Sequence, residues 1–279
     1  PYVLSSALMS GPVPAFADIP AGGFSQFTWV FESAATAGTA NPSVTASSGG
    51  FNSTDITTPS ASQLQVIADP SLAQDIILSP AVVSVGQNIT IKMHITNSGA
   101  SEAQGVVPAA LSKLGNGNYT YVSGPVPVSQ TIAAGANAYF TWIYQSSGAG
   151  SLAVNGYATG YSQYSKATNT AAAEDSNYIT IQSPASLASS ISVPAARNIG
   201  QWFTVTMTVT NNGTAAANAV APPSNLTVAG TGGAVRMSGP TPATAAITGG
   251  TSQVYQWTYS AAGAGTVTFA GIAAGTDAN

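Results

Sequence analysis

The sequence predicts an all-β chain, a tandem array of antiparallel β-sandwich repeats of about 114 residues each. Three observations carry that prediction. The pentapeptide SGPVP at 10–14 returns at 123–127 and again, as SGPTP, at 238–242. Trp29, Trp142 and Trp257 keep the same spacing, 142 − 29 = 113 and 257 − 142 = 115 residues. Between these marks apolar and polar residues alternate, the period of a half-buried strand, and no stretch carries the 3.6-residue period of an amphipathic helix.

Each tryptophan lies in a longer shared phrase: GGFSQFTWVFESAATAG, AGANAYFTWIYQSSGAG and GGTSQVYQWTYSAAGAG. The other half of the unit occurs twice, from Ser71 and from Ser186. A repeat this long exceeds the ~20–50 residues of solenoid modules and matches one sandwich domain of about 100 residues. In NITIKMHIT, Ile89, Ile91, Met93 and Ile95 alternate with Thr90, Lys92, His94 and Thr96; in WFTVTMTVT, Phe203, Val205, Met207 and Val209 alternate with threonines. One face is therefore core and the other faces solvent. Both strands end in NSG or NNG, read as turns in which Asn and Gly accept positive φ. Further strands are expected at LAQDIIL, NYTYVS, AYFTWIY, GSLAVNGYA and NYITIQ, about seven per unit.

The expected units are 1–70, 71–185 and 186–279. Subtracting the repeat interval places Pro1 opposite Leu114 and Asn279 opposite Tyr164. The first unit is thus expected without its leading strands, and the third without the closing strand that NYITIQ supplies to the second. Two readings stay open. Either the 279 residues are a window on a longer repetitive polypeptide, which is preferred, or neighbouring subunits complete one another by strand donation. The second is less tidy, because joining the ends duplicates the SGP and Trp strands.

The phrases VGQNITIKMHITNSGASEAQGVV, IGQWFTVTMTVTNNGTAAANAV and IAAGANAYFTW resemble the repeats of CARDB-type and DUF11-type immunoglobulin-like domains, which occur in tandem in bacterial and archaeal surface proteins. The resemblance covers most of the chain. It implies immunoglobulin-like sandwiches displayed at a cell surface. The acidic residue that often precedes the LP element of DUF11 repeats is missing from VVPAAL and VAPPSNL, so no calcium site is carried over.

Composition excludes several functional classes. Only 5% of residues are charged, against about 25% in ordinary soluble domains, while the 44% apolar content is enough to fill cores and excludes disorder. No run approaches the ~18 apolar residues that span a bilayer, so no transmembrane segment is expected in this stretch. The absence of cysteine removes disulfides and thiolate metal sites. Lys92, Lys113, Lys166, Arg197 and Arg236 are scattered, leaving no basic strip for nucleic acid. No initiator Met or basic-then-apolar leader opens the sequence, and any secretion signal is expected to have been removed or to lie outside it.

Catalytic groups are equally sparse. His94 is the sole histidine, sits on the polar face of its strand, and has no acidic orienter nearby in sequence. The nine carboxylates are dispersed, and Glu174–Asp175, the one adjacent pair, is expected in a solvated loop. Lys92 has Thr206 as its counterpart, which argues against a shared isopeptide crosslink. The rows Phe27–Trp29–Phe31, Phe140–Trp142–Tyr144 and Tyr255–Trp257–Tyr259 could stack on sugars, but sandwiches ordinarily bury such a Trp, so Trp29, Trp142 and Trp257 are read as structural core. Candidate N-glycosylation sites are Asn52, Asn88, Asn118, Asn212 and Asn225.

Edge strands with almost no charge need covering, because isolated proteins usually protect such edges with Lys, Pro or charged side chains. The expectation is therefore a non-enzymatic extracellular structural protein without cofactors or metals, a repeat segment of a cell-surface filament, stalk or lattice. Its partners would be identical subunits or further repeats, with glycans as candidate decoration. The alternative is an accessory carbohydrate-binding or adhesin module of a larger secreted protein.

Overall fold

The computed structural model describes residues 7–33, 37–40, 43–47, 56–59 and 64–279. Every regular element among them is a β-strand, so the chain is all-β. In the stretch 71–185, Leu72–Ser79, Asn88–Asn97, Asn137–Gly148 and Asn118–Val126 form one antiparallel sheet, hydrogen-bonded in that order. The predicted alternation appears as burial: Ile89, Ile91, Met93 and Ile95 are wholly enclosed, while Lys92 is exposed. Full burial of each such side chain contributes about 1.5–3 kcal/mol.

Two smaller sheets complete this region. One runs Ser112–Gly115, Gly150–Gly156, Ile179–Gln182, Val82–Ser84; the other runs Gln130–Ile132, Ala103–Pro108, Ala158–Ser162, Thr168–Thr170. Leu152, Val154, Ile179 and Ile181 from the first, and Val106, Ile132 and Ala158 from the second, join Phe140 and Trp142 in a single core. Period two in the sequence thus becomes a shared apolar interior.

The stretch 186–279 repeats the main sheet as Leu187–Ser192, Trp202–Asn211, Ser252–Gly263 and Gly233–Thr241 in the same spatial order. A second core gathers Val205, Met207 and Val209 with Tyr255, Trp257 and Tyr259. Ala245–Ile247, Ala217–Ala221 and Ala274–Asp277 form one small sheet, and Thr227–Gly230 pairs with Val267–Ala270 in another. Among the described residues, no strand lies on the far side of Val267–Ala270.

Before Ser71 only pairs of strands occur among the described residues: Ala7–Val13 with Thr28–Glu32, Gly38–Ala40 with Leu64–Val66, and Ser43–Ala46 with Ile56–Pro59. Trp29 is half-buried here, unlike Trp142 (5% exposed) and Trp257 (1%). The cause is local: among the described residues Thr28–Glu32 has a neighbour on one edge only, whereas Asn137–Gly148 and Ser252–Gly263 are flanked on both.

The repeated SGP phrase has a common job in all three places. It forms an irregular, bulged stretch opposite the Trp strand, with register shifts between Ser10 and Val13, Ser123 and Val126, and Ser238 and Thr241. Gly11, Gly124 and Gly239 hold φ of 114°, 114° and 102°, and a Cβ there would stand 2.7–2.8 Å from the Cα of Trp29, Trp142 or Trp257. Glycine alone meets both demands, since it accepts positive φ and brings no side chain to the close approach.

Candidate functional site

The residues most specifically placed are those that join successive segments. Strand Leu64–Val66 runs through Ile67 and a four-residue linker, Ala68–Ser71, into Leu72–Ser79; strand Ile179–Gln182 runs through Ser183–Ser186 into Leu187–Ser192. Each linker is gripped by a buried asparagine. Asn97 Nδ2 donates to the carbonyls of Ser101 (2.8 Å) and Ile132 (3.1 Å), while its Oδ1 accepts from the Ser71 and Gly99 amides, both at 3.1 Å. Asn211 does the same with Ala215 (2.8 Å) and Ile247 (3.1 Å), and with Ser186 and Gly213 at 3.0 Å. Both side chains are wholly enclosed, and a buried amide satisfied on both sides fixes geometry strongly.

The NSG and NNG phrases therefore act differently from the turn expected of them. Neither Gly99 nor Gly213 has positive φ. A Cβ on Gly99 would stand 2.5 Å from the Ser71 nitrogen and the Asp69 oxygen, and one on Gly213 would overlap the Pro184 carbonyl. Glycine is needed because the linker backbone passes directly over it, and the asparagine is needed to hold that backbone down.

Carboxylates reinforce both junctions. Asp69 Oδ1 accepts from Ser165 Oγ at 2.7 Å, and hydrogen bonds from Ser162 and Ser165 hold its carboxyl below the ordinary 3.8. Burial pushes Asp277 upward, but the Ala185 amide (2.7 Å), the Asn279 amide (2.9 Å) and Ser84 Oγ (2.8 Å) outweigh it and leave the carboxyl lowered. Ser84 belongs to the preceding sandwich, so Asp277 ties the second and third segments together. Asn279 Nδ2 adds Gln182 Oε1 at 2.7 Å, and the Ser183 amide donates to Thr214 Oγ1 at 2.8 Å while the Thr214 amide donates to Ser183 Oγ at 3.0 Å.

Beyond the second junction lies an opening. In the second segment Ile179–Gln182 is wedged between two strands, antiparallel to Gly150–Gly156 through Gly150↔Ile181 and Leu152↔Ile179, and parallel to Val82–Ser84. Ile179 and Ile181 are buried there. The corresponding place in the third segment is a groove of about 250 Å³ between Val193–Arg197 and Val267, floored by Phe203 and Phe269. Tyr259 packs on both aromatic rings, and its buried hydroxyl has no partner among the described residues.

The structure also locates the other candidate groups. Asp75 stands directly opposite His94, with Oδ1 2.8 Å from Nδ1, so an acidic partner does exist; sequence distance hid it because the pairing crosses strands 19 residues apart. His94 also stacks on Tyr139 at 4.7 Å, beneath Lys92 Nζ at 3.9 Å from the same ring. The free imidazole nitrogen, Nε2, is buried and bonded to no hydroxyl among the described residues, which leaves a nucleophile nothing to be activated by. Glu174 and Asp175 are exposed and form a short strand, not a loop, with Asp175 accepting from Asn155 Nδ2 at 2.6 Å. No cluster of three or more potential metal ligands occurs among the described residues, nor a helix long and apolar enough to cross a membrane.

Phe140, Trp142, Tyr255, Trp257 and Tyr259 face the cores and offer no ring face for a sugar. Trp257 Nε1 donates to the Ser224 carbonyl at 3.2 Å, and the Tyr255 hydroxyl to that of Val220 at 2.8 Å. In the first segment Phe27 and Trp29 are half-buried, with ring centres 6.4 Å apart, and Phe31 is exposed. Asn88, Asn118, Asn212 and Asn225 are exposed, with Asn118 Oδ1 accepting from Lys113 Nζ at 2.7 Å; Asn52 lies outside the described residues.

No family model matches the chain, and no curated protein does. Among solved structures, the type II cohesin dyad from the adaptor ScaA scaffoldin of Acetivibrio cellulolyticus is similar over 74% of this chain and 85% of that one, at 8% identity and a TM-score of 0.22. A likeness this slight has no bearing on function.

Proposed function

We propose that the protein is a non-enzymatic structural protein of the cell exterior, a repeat segment of a filament, stalk or lattice that associates with identical copies. The observation that carries this reading is the pairing of rigid, hydrogen-bonded junctions with open strand edges that almost no charged residue guards. Isolated sandwiches protect such edges, and association of nearly neutral surfaces desolvates few ions. Leu8, Met9, Phe16, Phe24 and Phe31 of the first segment are exposed, a concentration of apolar side chains suited to burial against a partner. A hydroxyl-rich surface with four exposed sequons is consistent with an extracellular setting.

Sedimentation velocity over a wide concentration range, with negative-stain imaging, tests the proposal. Elongated oligomers are expected; dispersed single chains at every concentration would overturn it. The half-buried row Phe27–Trp29–Phe31 supports a second reading, glycan binding through the first segment alone. Titration with cell-wall and plant glycans should then quench the fluorescence of Trp29, and the signal should vanish in Trp29→Phe; an unchanged spectrum excludes it.

A further inference from the structure

We infer that the outward face of the main sheet in the third segment binds a neutral polysaccharide chain, with the indole of Trp202 as its stacking platform. The site is separate from the row Phe27–Trp29–Phe31 and does not depend on the self-association proposed above. Trp202 is the one tryptophan outside the repeated phrases and opens the strand Trp202–Asn211. It is 65% exposed, where Trp142 and Trp257 are buried. Strand alternation sets it on the side away from the core, because Phe203, Val205, Met207 and Val209 point inward. Its counterpart in the second segment, Asn88, is exposed although the third segment adjoins it there, with Gln87 Nε2 donating to the Asn279 carbonyl at 2.7 Å. Exposure at this position is therefore not a matter of an absent neighbour.

The rest of the face is polar and uncharged. Thr204, Thr206 and Thr208 follow Trp202 along its strand, and Thr258 and Gln256 stand opposite Thr204 and Thr206 on the next. None of these five side chains has a hydrogen-bond partner among the described residues. The three charged residues of 186–279 lie elsewhere. Arg236 pairs with the inward Tyr259 and donates to the Gly239 carbonyl, Arg197 donates to that of Ala196 beside the groove, and Asp277 is held in the junction. The same face of the second segment carries Asp75, Lys92 and His94 instead, so the neutral surface belongs to the third segment in particular.

This combination fits a sugar polymer. A pyranose ring has an apolar face of C–H groups and a rim of hydroxyls; the indole suits the first, and unpaired threonine hydroxyls and a glutamine amide suit the second. A charged polymer would find no counter-ion. A protein partner would take the same unpaired polar groups out of water at a cost, and the face lacks the apolar centre that protein interfaces gather. Val235 stands two strands from Trp202 across Ser260, and Val254 three residue pairs along, so apolar groups are spread among hydroxyls. From Trp202 to Thr208 the face runs about 20 Å, which suits several linked rings better than one.

Affinity electrophoresis of the full chain through gels containing laminarin, galactomannan, mannan or dextran tests this, with polygalacturonate as the anionic control. Retardation by at least one neutral polymer and none by the control is expected. Trp202→Ala should weaken it at least about tenfold, Gln256→Ala about fivefold, while Trp202→Phe keeps most of it and Trp29→Phe all of it. Unchanged circular dichroism and urea unfolding of each variant establish that the fold is intact, as substitution at exposed positions predicts.

Free migration of the wild-type chain in all four neutral gels would overturn the proposal, as would equal retardation of Trp202→Ala. Loss of retardation in Trp29→Phe alone would move glycan binding to the first segment and overturn it too. Trp202→Ala that abolishes oligomers in sedimentation but leaves retardation intact would make this face a contact between copies, and would overturn polysaccharide binding while self-association stood.

Discussion

Residues 71–185 and 186–279 share a strand order, a buried Trp and an asparagine-held linker, yet among the described residues Ile179–Gln182 covers a place in the former that is lined as a groove in the latter. The difference between the two is local. Val83 is buried and its strand pairs alongside Ile179–Gln182 in the second segment, whereas its counterpart Arg197 lies exposed at the groove and its backbone forms no strand. Both cores keep an aromatic row, Phe140 and Trp142 with Tyr144 packed against them in one, Tyr255, Trp257 and Tyr259 in the other.

The largest effects are expected at the tryptophans. Trp142→Ala and Trp257→Ala should each cost their own sandwich about 3–5 kcal/mol, the usual loss for emptying a buried aromatic site, and urea unfolding should show the affected transition moving alone. Trp29→Ala, at a half-buried site, should move neither transition measurably. Next come the linker clamps. Asn97→Ala and Asn211→Ala each orphan several buried groups and should cost about 1–3 kcal/mol, with faster amide exchange at Ser71 or Ser186 separating a loosened junction from a merely weakened core.

Gly124→Ala and Gly239→Ala impose a side chain on a positive-φ residue that touches Trp142 or Trp257. The expected cost is about 1–3 kcal/mol, read as a lower melting temperature with a changed near-ultraviolet tryptophan signal. Smallest is the effect of acid on the junctions. Asp69 and Asp277 have carboxyls lowered in the folded state, so the stability they contribute is complete above the ordinary 3.8 and is lost as pH falls through their lower folded values. Asp277→Asn should flatten the part of the acid response, seen by amide exchange at Ala185, that falls below about pH 4.

Much of the architecture was legible in the chain itself. Alternation in NITIKMHIT and WFTVTMTVT identified the two central strands and their buried faces, because side chains on a pleated strand must point to opposite sides. The recurrence of SGP beside Trp marked a shared element, although not that its glycine lies against the Trp backbone. Less visible were the pairing of Asp75 with His94, which depends on register between strands, and the true task of the NSG and NNG phrases. The signal for the second was present: an Asn and a Gly two residues later recur at nearly the same distance, 26 and 25 residues, after linkers of equal length.

By itself the sequence determined the all-β character, the repeat and the inward residues, since composition and period act residue by residue along the chain. Only the tertiary structure decided which backbone passes over Gly99 and Gly213, which carboxylate ties one sandwich to the next, and that Asp75 faces His94. Those features depend on contacts between segments distant in sequence, and their geometry is set by packing, which no local pattern records.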